Sequence, residues 1–378
     1  MHSFLQPLRS SESFRRLVAE LMAGGPAYVE GLWGSSAALL TAALAQEEGA
    51  AILVALPSIE QAETFFEDLA FFAPGRPMMF PAWETQEDEA PDAEILSQRL
   101  QILQYLVQAE RPSAGESQRI IVAPVQALLQ PVPAAHMIAS SSLRVARGET
   151  LSQERIIQWL VEREFQPVRR VEVPGEFCRR GGILDVFPYA SEEPVRIEFF
   201  GDEIESLRRF DPETQVGTTD VSSVTLAAIP RHHVSGQSHA DTAREHWASL
   251  FDHLPKGSRL ILKEPAEVLG ERRGLSRAGH PEAAAWCREA LRRAVSLTPT
   301  LHMAALPGVF GGKQVTFHVH STERFGRDLA TTIQELELVA SERRRTVVLC
   351  SNEGERDRLL EILADARLPE APQFEIRI

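Results

Sequence analysis

Cysteine is scarce and scattered. Cys178, Cys287 and Cys350 are the whole supply in 378 residues. Their separations fit neither a zinc site nor a disulfide framework, so buried or free thiols are expected. No apolar run reaches the ~20 residues that span a bilayer. The stretch Met1 to Ser13 lacks the basic-then-apolar order of a secretory signal. A soluble cytoplasmic chain without membrane contact is the expectation. Positive charge is the largest shortfall, with 39 Lys and Arg against 53 Asp and Glu and a formal net charge of −14. Duplex-binding surfaces work by displacing counterions with Lys and Arg. Non-specific nucleic-acid binding is therefore not the expected task of this span, and a protein partner with a basic face suits the charge better.

What is present reads as alternating elements. Phe14, Leu17, Val18 and Leu21 recur at helical spacing, with Ser11 or Ser13 as N-cap and Gly24-Gly25-Pro26 as the stop. A strand at 27–30, a helix at 37–45, a continuous apolar strand at 51–56 and a helix at 59–71 follow. After a short strand at 78–80 and an acidic loop at 84–92 come a helix at 93–107, a buried strand at 119–123 and a short helix at 125–129. Apolar runs between helices predict a parallel sheet buried on both faces. From a helix at 152–164 onward the period changes to two, and strands are expected at 168–173, 182–187, 195–200 and 204–210. A strand at 258–262, a helix at 281–295, a Gly-rich linker at 308–312 and a final set of elements from 316 to 378 complete the reading.

The turn after the first strand, Gly31-Leu32-Trp33-Gly34-Ser35-Ser36-Ala37-Ala38, stands where a phosphate-binding loop would stand. A working loop ends G-K-[ST]: its amides cradle phosphates, its lysine meets them and its hydroxyl holds magnesium. Here Ser36 replaces the last glycine, Ala37 the lysine and Ala38 the hydroxyl. The cation and the metal hook are both missing. No buried strand ends in Asp-Glu, and Gly201-Asp202-Glu203 falls in the hairpin region. A degenerate nucleotide loop at Gly31, Gly34, Ser35, Ser36, Ala37 and Ala38 is one reading; an ordinary tight turn is the other.

The densest signal lies further on. Gly175-Glu176-Phe177-Cys178-Arg179-Arg180-Gly181-Gly182-Ile183-Leu184-Asp185-Val186-Phe187-Pro188 is followed by Pro194-Val195-Arg196-Ile197-Glu198-Phe199-Phe200-Gly201-Asp202-Glu203-Ile204-Glu205. This pair of segments closely resembles the signature of the UvrA-binding domain shared by UvrB and the transcription-repair coupling factors. Leu69 to Pro74, Phe80 to Trp83, Gln98-Arg99-Leu100 and Ala127 to Pro133 resemble the first domain of the coupling-factor family. UvrB is the poorer match, because it keeps the loop lysine and a tyrosine-rich hairpin, whereas the stretch between Trp83 and Arg99 is short, acidic and without tyrosine. The resemblance implies UvrA as partner, with contacts at Arg180, Arg196 and Phe200. It also implies RNA polymerase and DNA as partners of further C-terminal domains, in a protein whose translocase is not part of this span.

Strand alternation supports a docking role independently. Val195, Ile197 and Phe199 make one face, while Arg196, Glu198 and Phe200 make the other. An aromatic beside arginines is the composition of interface hot spots. The plainer alternative leaves Arg180 and Arg196 as solvated sheet arginines and Phe200 packed under a loop. Charge reversal at Arg196 or truncation at Phe200 is expected to abolish partner binding and leave the fold intact.

The expected organisation is a degenerate P-loop-like α/β domain at 1–137 and an antiparallel β-rich UvrA-binding insert at 138–231. A second lobe of the body follows at 232–315, then the start of a further α/β domain at 316–378. No catalytic residue, metal site or cofactor is expected. His232, His233, His318 and His320 lack companions at ligand spacing, and Arg343-Arg344-Arg345 before a strand reads as a surface helix end, with a weak nucleic-acid or nucleotide contact as the alternative. Two rival readings remain: an active nucleotide-dependent UvrB-like helicase or damage-binding subunit, and a free-standing competitor for UvrA whose gene ends near Ile378.

Overall fold

The structure, a computed structural model, describes residues 2–47, 51–83, 92–108, 119–227, 246–270, 281–310, 314–317, 319, 346–349, 353–365 and 374–377. The chain divides into two compact units, Met1–Val319 and His320–Ile378. In the first, seven parallel strands form one sheet. They are β1 (Ala27–Glu30), β2 (Ile52–Leu56), β3 (Pro77–Met79), β4 (Ile120–Pro124), β15 (Arg259–Lys263), β16 (Thr300–Ala304) and β17 (Val315–Thr316), in the order β17-β1-β16-β15-β2-β4-β3. The sheet is thus completed by strands on either side of a long intervening segment, and β17 straddles the boundary expected at 315/316.

The apolar runs behave as their composition requires. Leu53, Ala55, Ile121 and Ala123 enter one buried cluster, while Ile52, Val54, Leu56, Ile120 and Val122 enter another on the opposite face. Helices cover both faces, as parallel strands demand. The helix Glu12–Met22 is capped by Ser11, whose side chain accepts from the Phe14 amide, and buries Phe14, Leu17 and Leu21. The helix Ile59–Phe72 is capped by Ser58 through the Gln61 amide.

The intervening segment holds short pieces and a second sheet. β5 (Val132–Pro133) pairs with β14 (Trp247–Ala248), and β6 (Ser142–Ala146) pairs with β13 (Ser223–Ala227). The six-stranded sheet contains β7 (Gln166–Pro167), β8 (Glu176–Arg180), β9 (Ile183–Val186), β10 (Val195–Phe200), β11 (Glu203–Phe210) and β12 (Gly217–Asp220), in reverse chain order. Its pairings are antiparallel except the short β7–β8 pair.

One expected strand does not form. Residues 168–173 leave the sheet after Val168, whose amide donates to Phe177 O. The amides of Glu172 and Val173 turn instead onto the Glu176 carboxylate, so the pairing strand is β8. Its entry requires glycine: Gly175 has φ +89°, and a Cβ there would lie 2.2 Å from the Tyr189 hydroxyl.

The inner face of this sheet has no core of its own. Phe177, Leu184, Val186, Val195, Ile197, Ile204 and Leu207 join the cluster that also takes one face of the parallel sheet. The fully buried Tyr189 sits at the junction. Its ring packs 5.1 Å from that of Phe165, and its carbonyl accepts from Ser97 on the helix Ala93–Gln108.

In the second unit, β18 (Thr346–Leu349) pairs in parallel with β19 (Phe374–Arg377), and Glu353–Asp365 is helical. The acidic segment 84–91, His232, His233, His318, His320, the expected helix 324–340 and the basic triplet 343–345 lie outside the described residues.

Candidate functional site: the outer face of the six-stranded sheet

Register decides which side chains share the outer face. Cys178, Asp185, Arg196, Arg208 and Asp220 form one row across β8 to β12. Arg180, Ile183, Glu198 and Ser206 form the next. Phe200 lies beyond it, opposite Glu203 at the end of the β10–β11 hairpin. The structure therefore brings Arg180, Arg196 and Phe200 onto one face. Arg180 and Phe200 stand two strands apart, about 10 Å at normal strand spacing.

The three residues differ in what they have left to offer. Phe200 is 78% exposed, while Phe199 packs against the core and Val195 and Ile197 are buried. The predicted alternation holds, although β11 carries a bulge opposite Glu198 and Phe199. Arg180 is exposed and donates once, from Nη2 to Arg169 O at 2.9 Å.

Arg196 is committed. Its Nε and Nη2 donate to both oxygens of Asp185 at 2.7 and 3.0 Å, and its guanidinium lies 4.7 Å over the Phe210 ring. Asp185 is 1% exposed. Hydrogen bonding to Asp185 raises the Arg196 pKa above its ordinary value against the opposing effect of burial. A reversed charge at Arg196 would set two carboxylates side by side, one of them sealed in the protein. The expectation that such a change leaves the fold intact is therefore withdrawn. Beside this pair, Glu198 accepts from Ser206 Oγ at 2.6 Å and Arg208 Nη2 at 2.8 Å. Asp185 was visible within the signature, but its role depends on a cross-strand register that composition does not give.

Three of the other resembling segments converge on a different place, while Leu69 and Ala73 of the fourth enter the cluster on the opposite face of the parallel sheet. Arg99 is 3% exposed, with its guanidinium 4.2 Å over Phe80 and 5.1 Å over Trp83. It donates to Pro81 O and Gln130 Oε1. Gln130 in turn holds both the amide and the carbonyl of Trp83. Burial pushes the Arg99 pKa down to about 9. These residues pin the Phe80–Trp83 turn and lie inside the body, away from any docking face.

The turn at Gly31–Ala38 is tight and buried at both ends, with Trp33, Gly34 and Ser35 exposed at its tip. Gly31 has φ +80° and Gly34 has φ +55°. Ser35 precedes the helix Ser36–Leu44 without a side-chain cap, and Ser36 Oγ donates to Trp33 O. Ala37 and Ala38 are 1% and 0% exposed. The span expected as a linker is held at Gly308 and Phe310, whose amides both donate to Glu30 at 2.8 Å. Among the described residues no group of three or more His, Cys, Asp or Glu could hold a metal ion, and no helix is long and apolar enough to cross a membrane.

Comparison with known proteins places the outer face inside a recognised region. Residues 143–232 match the family model of the UvrB interaction domain. The chain is similar to the transcription-repair-coupling factor of Bacillus subtilis (strain 168), 30% identical over 223 residues, covering 58% of this chain and 18% of that protein. It is 28% identical over 240 residues to that of Escherichia coli (strain K12), covering 63% and 20%. It is 33% identical over 235 residues to that of Myxococcus xanthus, covering 60% and 19%. The chain thus matches only about a fifth of the length of these relatives.

Proposed function

We propose, from the premise that this chain carries a UvrB interaction domain and is a relative of the transcription-repair-coupling factors, that the span recruits UvrA. In a longer protein it would link stalled RNA polymerase to nucleotide excision repair in the cytoplasm. The observation that carries the reading is Phe200, a large ring 78% exposed on a sheet face whose other apolar side chains, Cys178 and Ile183, are buried or half-buried. A scattered surface phenylalanine needs no explanation. This one sits on the face that also presents Arg180, within the matching region, on strands whose other side is fixed in the core. Phe200 supplies the apolar anchor and Arg180 an exposed guanidinium for a partner's carboxylate or carbonyl groups. Arg196 orients the face through Asp185 and Phe210.

The same reading treats the Gly31–Ala38 turn as a degenerate nucleotide loop and this span as one that hydrolyses no ATP. ATP-driven movement on DNA would belong to other parts of the longer protein. The absent lysine and hydroxyl at Ala37 and Ala38 support that assignment.

Capture of the chain by immobilised UvrA tests the docking claim. Phe200→Ala and Arg180→Glu should each lose most of the bound fraction while keeping the parent's unfolding midpoint. Normal capture of both variants would remove the claim.

A further inference from the structure

We infer that the carboxyl end of the parallel sheet is closed to nucleotides from within, by a loop clamped between two glutamates, so that restoring the missing motif residues does not reopen it. The inference rests on the reading of this span as one without nucleotide chemistry, and concerns a different end of the molecule from the docking face.

In open α/β sheets a ligand binds outside the carboxyl ends of the strands, where loop amides and a helix N-terminus receive its phosphates. At this end the order is β1-β16-β15. β1 finishes at Glu30, Glu264 follows directly after β15, and β16 between them runs out into residues 305–310. Both glutamates reach inward to that loop. Glu30 accepts from the Gly308 and Phe310 amides at 2.8 Å each and from Gln314 Nε2 at 2.9 Å. Glu264 accepts from the Ala305 amide at 2.8 Å. The amides of Ala305, Gly308 and Phe310 are thus already bound to carboxylates, and Glu30 is only 1% exposed.

The two flanks of the first loop are committed as well, while Trp33, Gly34 and Ser35 at its tip are exposed. The Leu32 amide donates to Ala304 O at 3.3 Å. A Cβ at Gly31 would lie 2.6 Å from Phe317 O, so the backbone of residue 317 lies directly against the turn. Ala37 and Ala38 belong to the apolar cluster that contains Leu40 and Ala43. A lysine at 37 would begin its side chain among methyl groups, and its ammonium would lose hydration. A triphosphate brought here would also meet carboxylates of its own sign in a medium that screens poorly.

The test restores the motif as Ser36→Gly, Ala37→Lys and Ala38→Ser in the full chain and titrates it with Mg-ATP by calorimetry. No saturable binding up to millimolar nucleotide is expected. Saturable binding by this triple variant overturns the inference. To keep the test independent of the triple variant's folding, Glu30→Gln and Glu264→Gln are compared by amide hydrogen exchange. Glu30→Gln should speed exchange at Gly308 and Phe310 about tenfold or more while sparing Ala305, and Glu264→Gln should do the reverse. Unchanged exchange at Gly308 and Phe310 in Glu30→Gln overturns the clamp. UvrA capture by the parent chain is scored separately, so either reading can fail alone.

Discussion

Phe200 and Glu30 break the usual sorting of side chains in opposite directions. One is an aromatic ring left 78% in solvent; the other is a carboxylate only 1% exposed. Glu30 is fully provided for by its own chain, through two backbone amides and a glutamine. Phe200 has nothing comparable: its neighbours along the strand turn away from it, and its cross-strand partner is the exposed Glu203. A buried charge with a complete set of internal donors asks for no ligand. An exposed ring beside side chains already held in ion pairs, Arg196 with Asp185 and Arg208 with Glu198, is where an external surface gains the most by burying something. The two ends of the first unit therefore differ in kind: the strand ends around Glu30 are finished, and the outer face around Phe200 is open.

The sharpest way to break this contrast is Arg196→Glu, because Arg196 stands on the open face but belongs energetically to the finished kind. Placing a carboxylate against buried Asp185 should cost about 3–5 kcal/mol of stability, read as a lower urea midpoint. An unchanged midpoint would return Arg196 to the free contacts. Phe200→Ala comes next and should show the opposite pattern. UvrA affinity should fall by about 2 kcal/mol or more, with stability within about 0.5 kcal/mol of the parent. Equal losses in both measurements would mean that the ring supports the fold.

A smaller effect separates the regions by pH. Burial lowers the pKa of His302 on β16 and of His253, whose Nε2 lies 2.9 Å from Pro133 O. Both remain neutral in the folded chain at pH values where the unfolded chain takes up protons. Their contribution is full above the ordinary imidazole value near 6.5 and declines as pH falls below it. The six-stranded sheet contains no histidine. Exchange protection should therefore fall first around β16 and His253 on mild acidification, and simultaneous loss in both sheets would contradict this. The smallest effect concerns Cys287, whose thiol is pushed up to about 12 by burial. It should resist alkylation at pH 8 in the native chain and react on unfolding. Rapid native labelling would show that this part of the body is less closed than its packing implies.

Much of the architecture was legible. Continuous apolar runs marked β2 and β4 because parallel strands feed cores on both faces. The period-two pattern marked Val195–Phe200 with its correct faces because one side of that strand meets the shared core and the other meets water. Failures came where hydrogen-bond partners, near or distant, override composition. Val168–Val173 has strand composition, but local hydrogen bonds to Glu176 turn it out of the sheet. Arg196 and Phe200 look alike as face residues, and only register shows that Asp185 has already claimed the arginine. Glu30 looked like the last residue of a short strand, since its donors lie 278 to 284 positions further on. Phe80, Trp83, Arg99 and Gln130 were noticed as separate fragments of a resemblance, with no sign that they meet in one buried cluster.

The single hydrophobic cluster beneath both sheets has a mechanical consequence. Excising residues 142–227 would leave two raw apolar surfaces, so this grip cannot be lifted out and grafted elsewhere as a self-contained part. Nor can it swivel on its base without tearing the interior that Tyr189 and Ser97 close. If the proposed docking is regulated, shielding or baring the Phe200 side would do it, because re-aiming it would mean unfolding its foundation.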